Sequence, residues 1–235
     1  IIDKVVLPQR PKDQWPMLVG FSDITALHSL LSLHGVASLH ANMCKDLSLL
    51  PDEDIALSTE REFFMADTIP SPLSFTSHLL PLTYHPSPHH ANVPYTIHHT
   101  SSSPLNRGGE VVGKLIGGNL SVLYGLQGTP YSLNKIIEQC EQPPILFIED
   151  ISENHYHIDR MLNSLRMSAV FDSIGGLVVG QFTDCADDPS MGCSLLESIR
   201  QVGDDYSFPI LFDYPSGHID SNYPLLLSAD YLLSV

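Results

Sequence analysis

Basic residues are scarce in this chain. Eleven lysines and arginines stand against 27 aspartates and glutamates over 235 residues, a net charge of −16. Nucleic-acid binding rests on basic patches that neutralise phosphates, so this balance excludes nucleic acid as a partner. The acidity reads as a solubilising surface. Cysteine is sparse too. Cys44, Cys140, Cys185 and Cys193 form no CxxC pair, which argues against a disulfide framework or a structural zinc site and for reduced thiols in the cytoplasm. Apolar runs of about eighteen residues or more are missing, which excludes a membrane-spanning helix. There is no signal-peptide pattern. The first residue is Ile1, not methionine, so the sequence is expected to begin partway into a longer protein.

A hydrophobic content of 43% is enough to fill a core, and the length suits one large domain or two small ones. Residues 17–20, Met-Leu-Val-Gly, form an apolar run that stops at Gly20. A helical spacing of Ile24, Leu27, Leu30, Leu31 and Leu33 follows, with Gly35 to end it. The chain must turn sharply between the two, and Ser22 sits on the turn. Open α/β folds gather ligands at the carboxyl ends of their strands. The next helix aims its first N–H groups at the same spot. This is the logic of a nucleophile elbow, with Gly-Phe-Ser-Asp in place of Gly-x-Ser-x-Gly. Ser22 or Asp23 as a helix N-cap is the other reading.

Residues 1–45 are therefore read as the remainder of an N-terminal, Rossmann-like nucleophile domain. Residues 46–110, rich in proline and serine, read as a connecting region with short β segments such as 74–76 and 95–97. Residues 111–235 read as a C-terminal α/β domain with a largely parallel sheet. Strands are expected over 144–150, 174–180 and 209–214, and helices over 158–170 and 195–202.

Two of these strands run into residues that a serine nucleophile needs. One ends in Glu149-Asp150, and another leads to Pro215-Ser216-Gly217-His218. Serine requires a base, usually histidine, and the histidine requires a carboxylate to orient it. Strand ends share one edge of a parallel sheet, so Ser22, Glu149 and His218 can converge there, in a chain order that is known. A cap or loop carboxylate, and a loop histidine beside a flexible glycine, remain the plainer readings. The tract His85, His89, His90, His98 and His99 lacks the carboxylates or cysteines of a metal site and is expected to be a solvated loop. Gly117-Gly118-Asn119 either cradles a phosphate or makes a tight, closely packed turn. Arg160 either binds a carboxylate or pairs with Asp159 or Glu153.

Together the segments resemble the serine LD-carboxypeptidases, a family that also holds the microcin C self-immunity peptidases. The matching pieces are residues 19–27 (VGFSDITAL), 113–121 (GKLIGGNLS), 128–131 (GTPY), 147–150 (FIED) with Glu153 and Tyr156, 158–162 (IDRML), and Gly217-His218 with Asn222 and Pro224. The resemblance implies Ser22 as nucleophile, His218 as general base and Glu149 as the carboxylate that orients it. The backbone N–H of Asp23 would serve the oxyanion hole, and Arg160 and Asn119 are assigned to substrate binding. It implies hydrolysis, without metal or cofactor, of the amide between an L-centre and a C-terminal D-amino acid. The usual substrate is a murein tetrapeptide that loses D-alanine during cell-wall recycling. The stretch from Glu149 to Arg160 looks more like the murein branch than the microcin branch. A non-catalytic α/β binding module is the rival. The expected partner is a murein peptide, with no membrane insertion and with a homodimer allowed. The family carries further strand–helix units before its elbow, whereas here Ser22 stands close to the first residue, so a fragment is expected.

Overall fold

Ile145-Leu146-Phe147-Ile148 and Leu177-Val178-Val179 are apolar at every position, not at alternate ones. Strands of this kind must be covered on both faces. They form the middle of a six-stranded sheet in the computed structural model, which describes residues 2–65, 95–98 and 102–235. The elements in chain order are β1 (Val19–Gly20), α1 (Thr25–Leu33), β2 (Ser38–His40), α2 (Cys44–Leu47), α3 (Ile55–Met65), β3 (Tyr95–His98), β4 (Glu110–Asn119), α4 (Leu120–Gly125) and α5 (Leu133–Ile137). They continue with β5 (Ile145–Ile151), α6 (His155–Met167), β6 (Gly176–Thr183), α7 (Leu195–Val202), β7 (Ile210–Leu211), β8 (Leu225–Leu227) and β9 (Asp230–Ser234).

The large sheet has the order β3-β9-β4-β5-β6-β7. β4 to β7 run parallel, with helices between them, and β9 is antiparallel to β4. The α/β class with a mostly parallel sheet is therefore as the sequence predicts. One face is covered by α4 to α7. α6 buries Ile158, Met161, Leu162 and Leu165, at about 2 kcal/mol for each side chain removed from water. The other face buries Leu39, Ile97, Tyr214, Leu225, Leu227 and Tyr231. A second, three-stranded sheet, β1-β2-β8, joins the start of the chain to its end, with β1 parallel to β2 and β8 antiparallel to β2. Among the described residues no helix is long and apolar enough to cross a membrane.

β3 falls on the short β segment read over 95–97, and it pairs in parallel with β9. Two local expectations change. The strand read over 209–214 keeps only Ile210–Leu211, because Asn106 Oδ1 takes the Phe212 N–H and Asp213 adopts φ 59°. Residues 74–76 lie outside the described residues. The face of α1 is also different. Its leucine stripe is only partly covered, and Leu27 and Leu31 line an open apolar groove with Val5, Trp15 and Met17. The face turned inward carries Thr25, His28, Ser29, Leu30 and Ser32. Those polar groups are satisfied by specific partners: Thr25 Oγ1 accepts from Asn119 N at 3.0 Å, and Ser32 and Ser228 share a hydrogen bond of 2.8 Å.

The Gly117-Gly118 pair sits inside β4, not in a phosphate-binding loop. A Cβ at Gly117 would lie 1.9 Å from the Phe147 carbonyl oxygen, and one at Gly118 would lie 2.6 Å from Thr25 Oγ1. The pair lets β5 and α1 close on β4.

Candidate active site

The turn at Ser22 is strained. Ser22 opens a helical turn at φ 59°, a left-handed conformation rarely adopted by non-glycine residues. Gly20, two residues earlier, has φ 152°, and a Cβ there would meet Ile24 Cγ1 at 3.0 Å. The carbonyl of Gly20 is pinned twice, by Ala41 N at 3.2 Å and by His28 Nε2 at 2.9 Å. His28 is fully buried, and its Nδ1 meets Ser38 Oγ at 2.8 Å. Nε2 therefore carries the ring proton and Nδ1 accepts. Burial first, and the neighbouring His40 after it, push this imidazole down to about 4 despite the Gly20 bond, so it stays neutral.

Glu149 stands at the carboxyl end of β5 and is completely buried. Its Oε2 lies 2.7 Å from His218 Nδ1, a charge-assisted distance. Burial raises the carboxyl, but the bonds and charges of His218 and His40 outweigh it and hold Glu149 below its ordinary value. Burial likewise lowers His218, and Glu149 more than reverses this, so the imidazole is raised. Gly217 is no flexible spacer. It has φ 136°, and a Cβ there would press on Glu149 Cβ at 3.1 Å and Oε2 at 3.2 Å. Asn222, buried, ties the loop together by accepting from Gly217 N and Ser216 Oγ, both at 2.9 Å.

Phe21 brings the elbow to this pair. Its ring meets His218 edge-on at 4.8 Å, so Ser22 follows the residue that packs on the imidazole. No hydrogen bond joins Ser22 to His218 among the described residues, and such bonds are often long before substrate arrives. A cleft of about 430 Å³ opens over Phe21 and His218, walled by Leu49, Leu50, Pro51 and Ile219 and edged by Asp46 and Asp220. Asp23 follows Ser22 in the helical turn, where a backbone N–H has no acceptor within the turn and is free for an oxyanion.

Of the two residues assigned to substrate binding, Asn119 stands beside Glu149 in the β4–β5 register, and Arg160 lies away from the cleft. Asn119 is a buried N-cap: Oδ1 accepts from Val122 N at 3.1 Å and Nδ2 donates to Asp150 at 2.9 Å. Its polarity is spent on joining α4 to β5. Arg160 is exposed on α6, 5.8 Å over the Tyr156 ring, and does not line the cleft. Neither Asp159 nor Glu153 pairs with it among the described residues; Asp159 accepts from Asn163 and Glu153 from His157. His85, His89, His90 and His99 lie outside the described residues, and His98 ends β3. Among the described residues no group of three or more His, Cys, Asp or Glu side chains could hold a metal.

A second serine–histidine contact, His155 Nε2 to Ser198 Oγ at 2.7 Å, is not a nucleophile and base. Asp188 N donates to His155 Nδ1 at 3.3 Å, so the proton sits on Nε2 and is donated to the serine. It straps the loop before α7 to α6.

Residues 112–233, about half of the chain, match the family model described as the LD-carboxypeptidase C-terminal domain. The chain belongs to that family. The match holds Glu149 and His218, while Ser22 lies before it. Among LD-carboxypeptidase relatives, the chain is 30% identical over 234 residues to the "Probable murein peptide carboxypeptidase" of Bacillus subtilis, covering 97% of this chain and 61% of that protein. It is 30% identical over 205 residues to the "Murein tetrapeptide carboxypeptidase" of Pseudomonas aeruginosa, covering 86% of this chain and 57% of that protein. The chain thus spans about three-fifths of the length of these relatives. The crystal structure of the muramoyltetrapeptide carboxypeptidase from Oxalobacter formigenes superposes with a TM-score of 0.67 over 93% of this chain and 64% of that one, at 24% identity. That likeness bears on the fold alone.

Two residues packed against the His218–Glu149 pair carry no signal in the sequence. Phe21 stands in the turn, beyond the apolar run that stops at Gly20. His40 lies in a strand of three residues, all buried, where no alternation marks its side chain.

Proposed function

We propose that the chain carries a serine LD-carboxypeptidase site that cleaves the amide between an L-centre and a C-terminal D-amino acid. D-alanine released from a murein tetrapeptide, in cytoplasmic cell-wall recycling, is the proposed reaction. The observation that carries this reading is the 2.7 Å bond between His218 Nδ1 and buried Glu149, beside an elbow that holds Ser22 in a left-handed conformation.

Glu149 occupies Nδ1, which leaves Nε2 of His218 to take the proton of Ser22 as Oγ attacks the scissile carbonyl. Negative charge develops on the carbonyl oxygen, and the Asp23 N–H is the proposed donor to it. The imidazolium, stabilised by Glu149, returns its proton to the leaving amine. A water activated by the same nitrogen then hydrolyses the acyl-enzyme and frees Ser22.

Incubation of the protein with a murein tetrapeptide, followed by mass spectrometry, tests this. The expected result is loss of one D-alanine, with Ser22→Ala lowering the rate by about a thousandfold or more. Absence of release by the folded protein, or release undiminished in Ser22→Ala, overturns it.

A further inference from the structure

Glu149 has two carboxylate oxygens, and His218 uses one. The other, Oε1, is buried and has no hydrogen-bond partner among the described residues. It faces His40 Nε2 at 3.9 Å, and that nitrogen is buried and unpartnered as well. An acceptor-only group and a ring nitrogen able to donate are thus aimed at each other, with neither side chain exposed at all. The gap is slightly too wide for a hydrogen bond and closes with a small rotation of either side chain.

The carboxylate decides which His40 nitrogen must donate. Gly217 N–H donates to Asn222 Oδ1, which fixes that atom as the amide oxygen. The hydroxyl of Ser216 gives its one proton to this oxygen at 2.9 Å, so toward His40 Nδ1, at 3.4 Å, it can only accept. A His40 with its proton on Nδ1 alone would set the Nε2 lone pair against the full charge of the Glu149 carboxylate, acceptor against acceptor. A proton on Nε2 avoids this and points an N–H at Oε1, and the contact left with Ser216 is longer than a normal hydrogen bond and involves no charge. Aromatic edges hold the ring in place: Phe147 at 5.0 Å and Phe21 at 6.2 Å. Phe21 therefore touches both histidines that flank Glu149.

We propose that His40 is a positioning residue of the Ser22–His218–Glu149 site. Its Nε2–H holds Glu149 Oε1 and fixes the rotation of the carboxylate, so that Oε2 meets His218 Nδ1. It also ties β2, and through it the β1 elbow, to the carboxylate on β5. The catalytic meaning of this role rests on the proposed function, but the contact itself does not.

Proton NMR of the ¹⁵N-histidine-labelled protein reads the contact without any turnover. A histidine N–H in a short bond to a carboxylate resonates far downfield. The wild type should show this signal for His218 Nδ1–H, and His40→Gln, which keeps a donor, should retain it. His40→Leu, folded as judged by circular dichroism, should lose it or move it upfield. Kinetics on the tetrapeptide should show kcat reduced about tenfold or more in His40→Leu, a misplacement effect. KM should stay within about twofold, and His40→Gln should recover most of the loss. An unchanged His218 signal in folded His40→Leu, or a glutamine variant no better than leucine, overturns the proposal. Should neither variant fold, the ¹⁵N shifts of His40 in the wild type decide: a proton on Nε2 supports it, and a proton on Nδ1 alone overturns it. If the NMR pattern holds while even the wild type leaves the tetrapeptide intact, the substrate assignment fails and the positioning role stands.

Discussion

The ring of Phe21 lies edge-on to the imidazole of His218, with centroids 4.8 Å apart and planes at 68°. Phe21 precedes Ser22, so the contact makes the turn that carries Ser22 a support for His218. Phe21→Ala removes that support and leaves a cavity under both His218 and His40. The variant should lose about 3 kcal/mol of stability in urea unfolding, the usual range for a buried phenylalanine truncated to alanine. It should also lose kcat more than KM. Phe21→Leu should restore most of the stability and less of the rate, because a leucine fills volume without an aromatic edge.

Ser22, half-buried, holds a left-handed backbone. Ser22→Gly should therefore raise stability by about 1 kcal/mol while abolishing turnover, since glycine adopts positive φ without the Cβ penalty. Thermal unfolding and the tetrapeptide assay on the same preparation check both halves. A variant less stable than the wild type would show that the strain has been misplaced.

Gly217→Ala tests the approach of the His218 loop to Glu149. The new Cβ would lie 3.1 Å from Glu149 Cβ, 3.2 Å from its Oε2 and 3.2 Å from the Gln181 carbonyl, on a backbone at φ 136°. Such strain costs about 1–3 kcal/mol. The carboxylate is the group that can yield, so turnover should fall further than stability. Gly117→Ala, with its Cβ 1.9 Å from a backbone oxygen, should prevent folding altogether.

Two buried groups give stability a pH dependence of opposite signs. His28 titrates near 4 in the folded protein and near 6.5 when unfolded. Between these values the unfolded chain binds a proton that the fold refuses, so stability falls as pH drops through the window, by about 3 kcal/mol in total. Glu60 is pushed by burial up to about 7, against its bond from Asn42, while the unfolded carboxyl titrates near 4.5. Here the fold keeps a proton that the unfolded chain releases, so stability falls as pH rises from 4.5 to 7. The two effects oppose each other over most of this range. Urea midpoints measured across it should rise with pH in Glu60→Gln, where Glu60 no longer opposes the His28 effect. In His28→Gln they should fall with pH.

The sequence was legible where chemistry sits at the end of an apolar run. Ser22 after 17–20, Glu149 closing β5 and His218 beyond β7 all follow strands whose unbroken hydrophobicity announces burial on both faces. α6 and α7 showed through their spacing. The sequence was opaque where polar residues are buried by mutual satisfaction. His28, Thr25 and Ser32 look like the solvent face of α1, and only their partners on β2, β4 and the turn after β8 show otherwise. β4 was hidden by its glycines, which mark close approach and not a loop. Arg160 drew notice as a rare cation, but its helix turns it outward, because Ile158, Met161 and Leu162 claim the inner face.

β8 and β9 are separated only by Ser228 and Ala229, yet they belong to different sheets. β8 is the outer neighbour of β2, the strand that flanks the elbow, so Ser22 depends on residues about two hundred positions downstream. Ser22 is synthesised about two hundred residues before β8. Contacts this distant in sequence form late and slowly. The left-handed turn at Ser22 therefore gains its full support only once residues 225–227 have paired with β2.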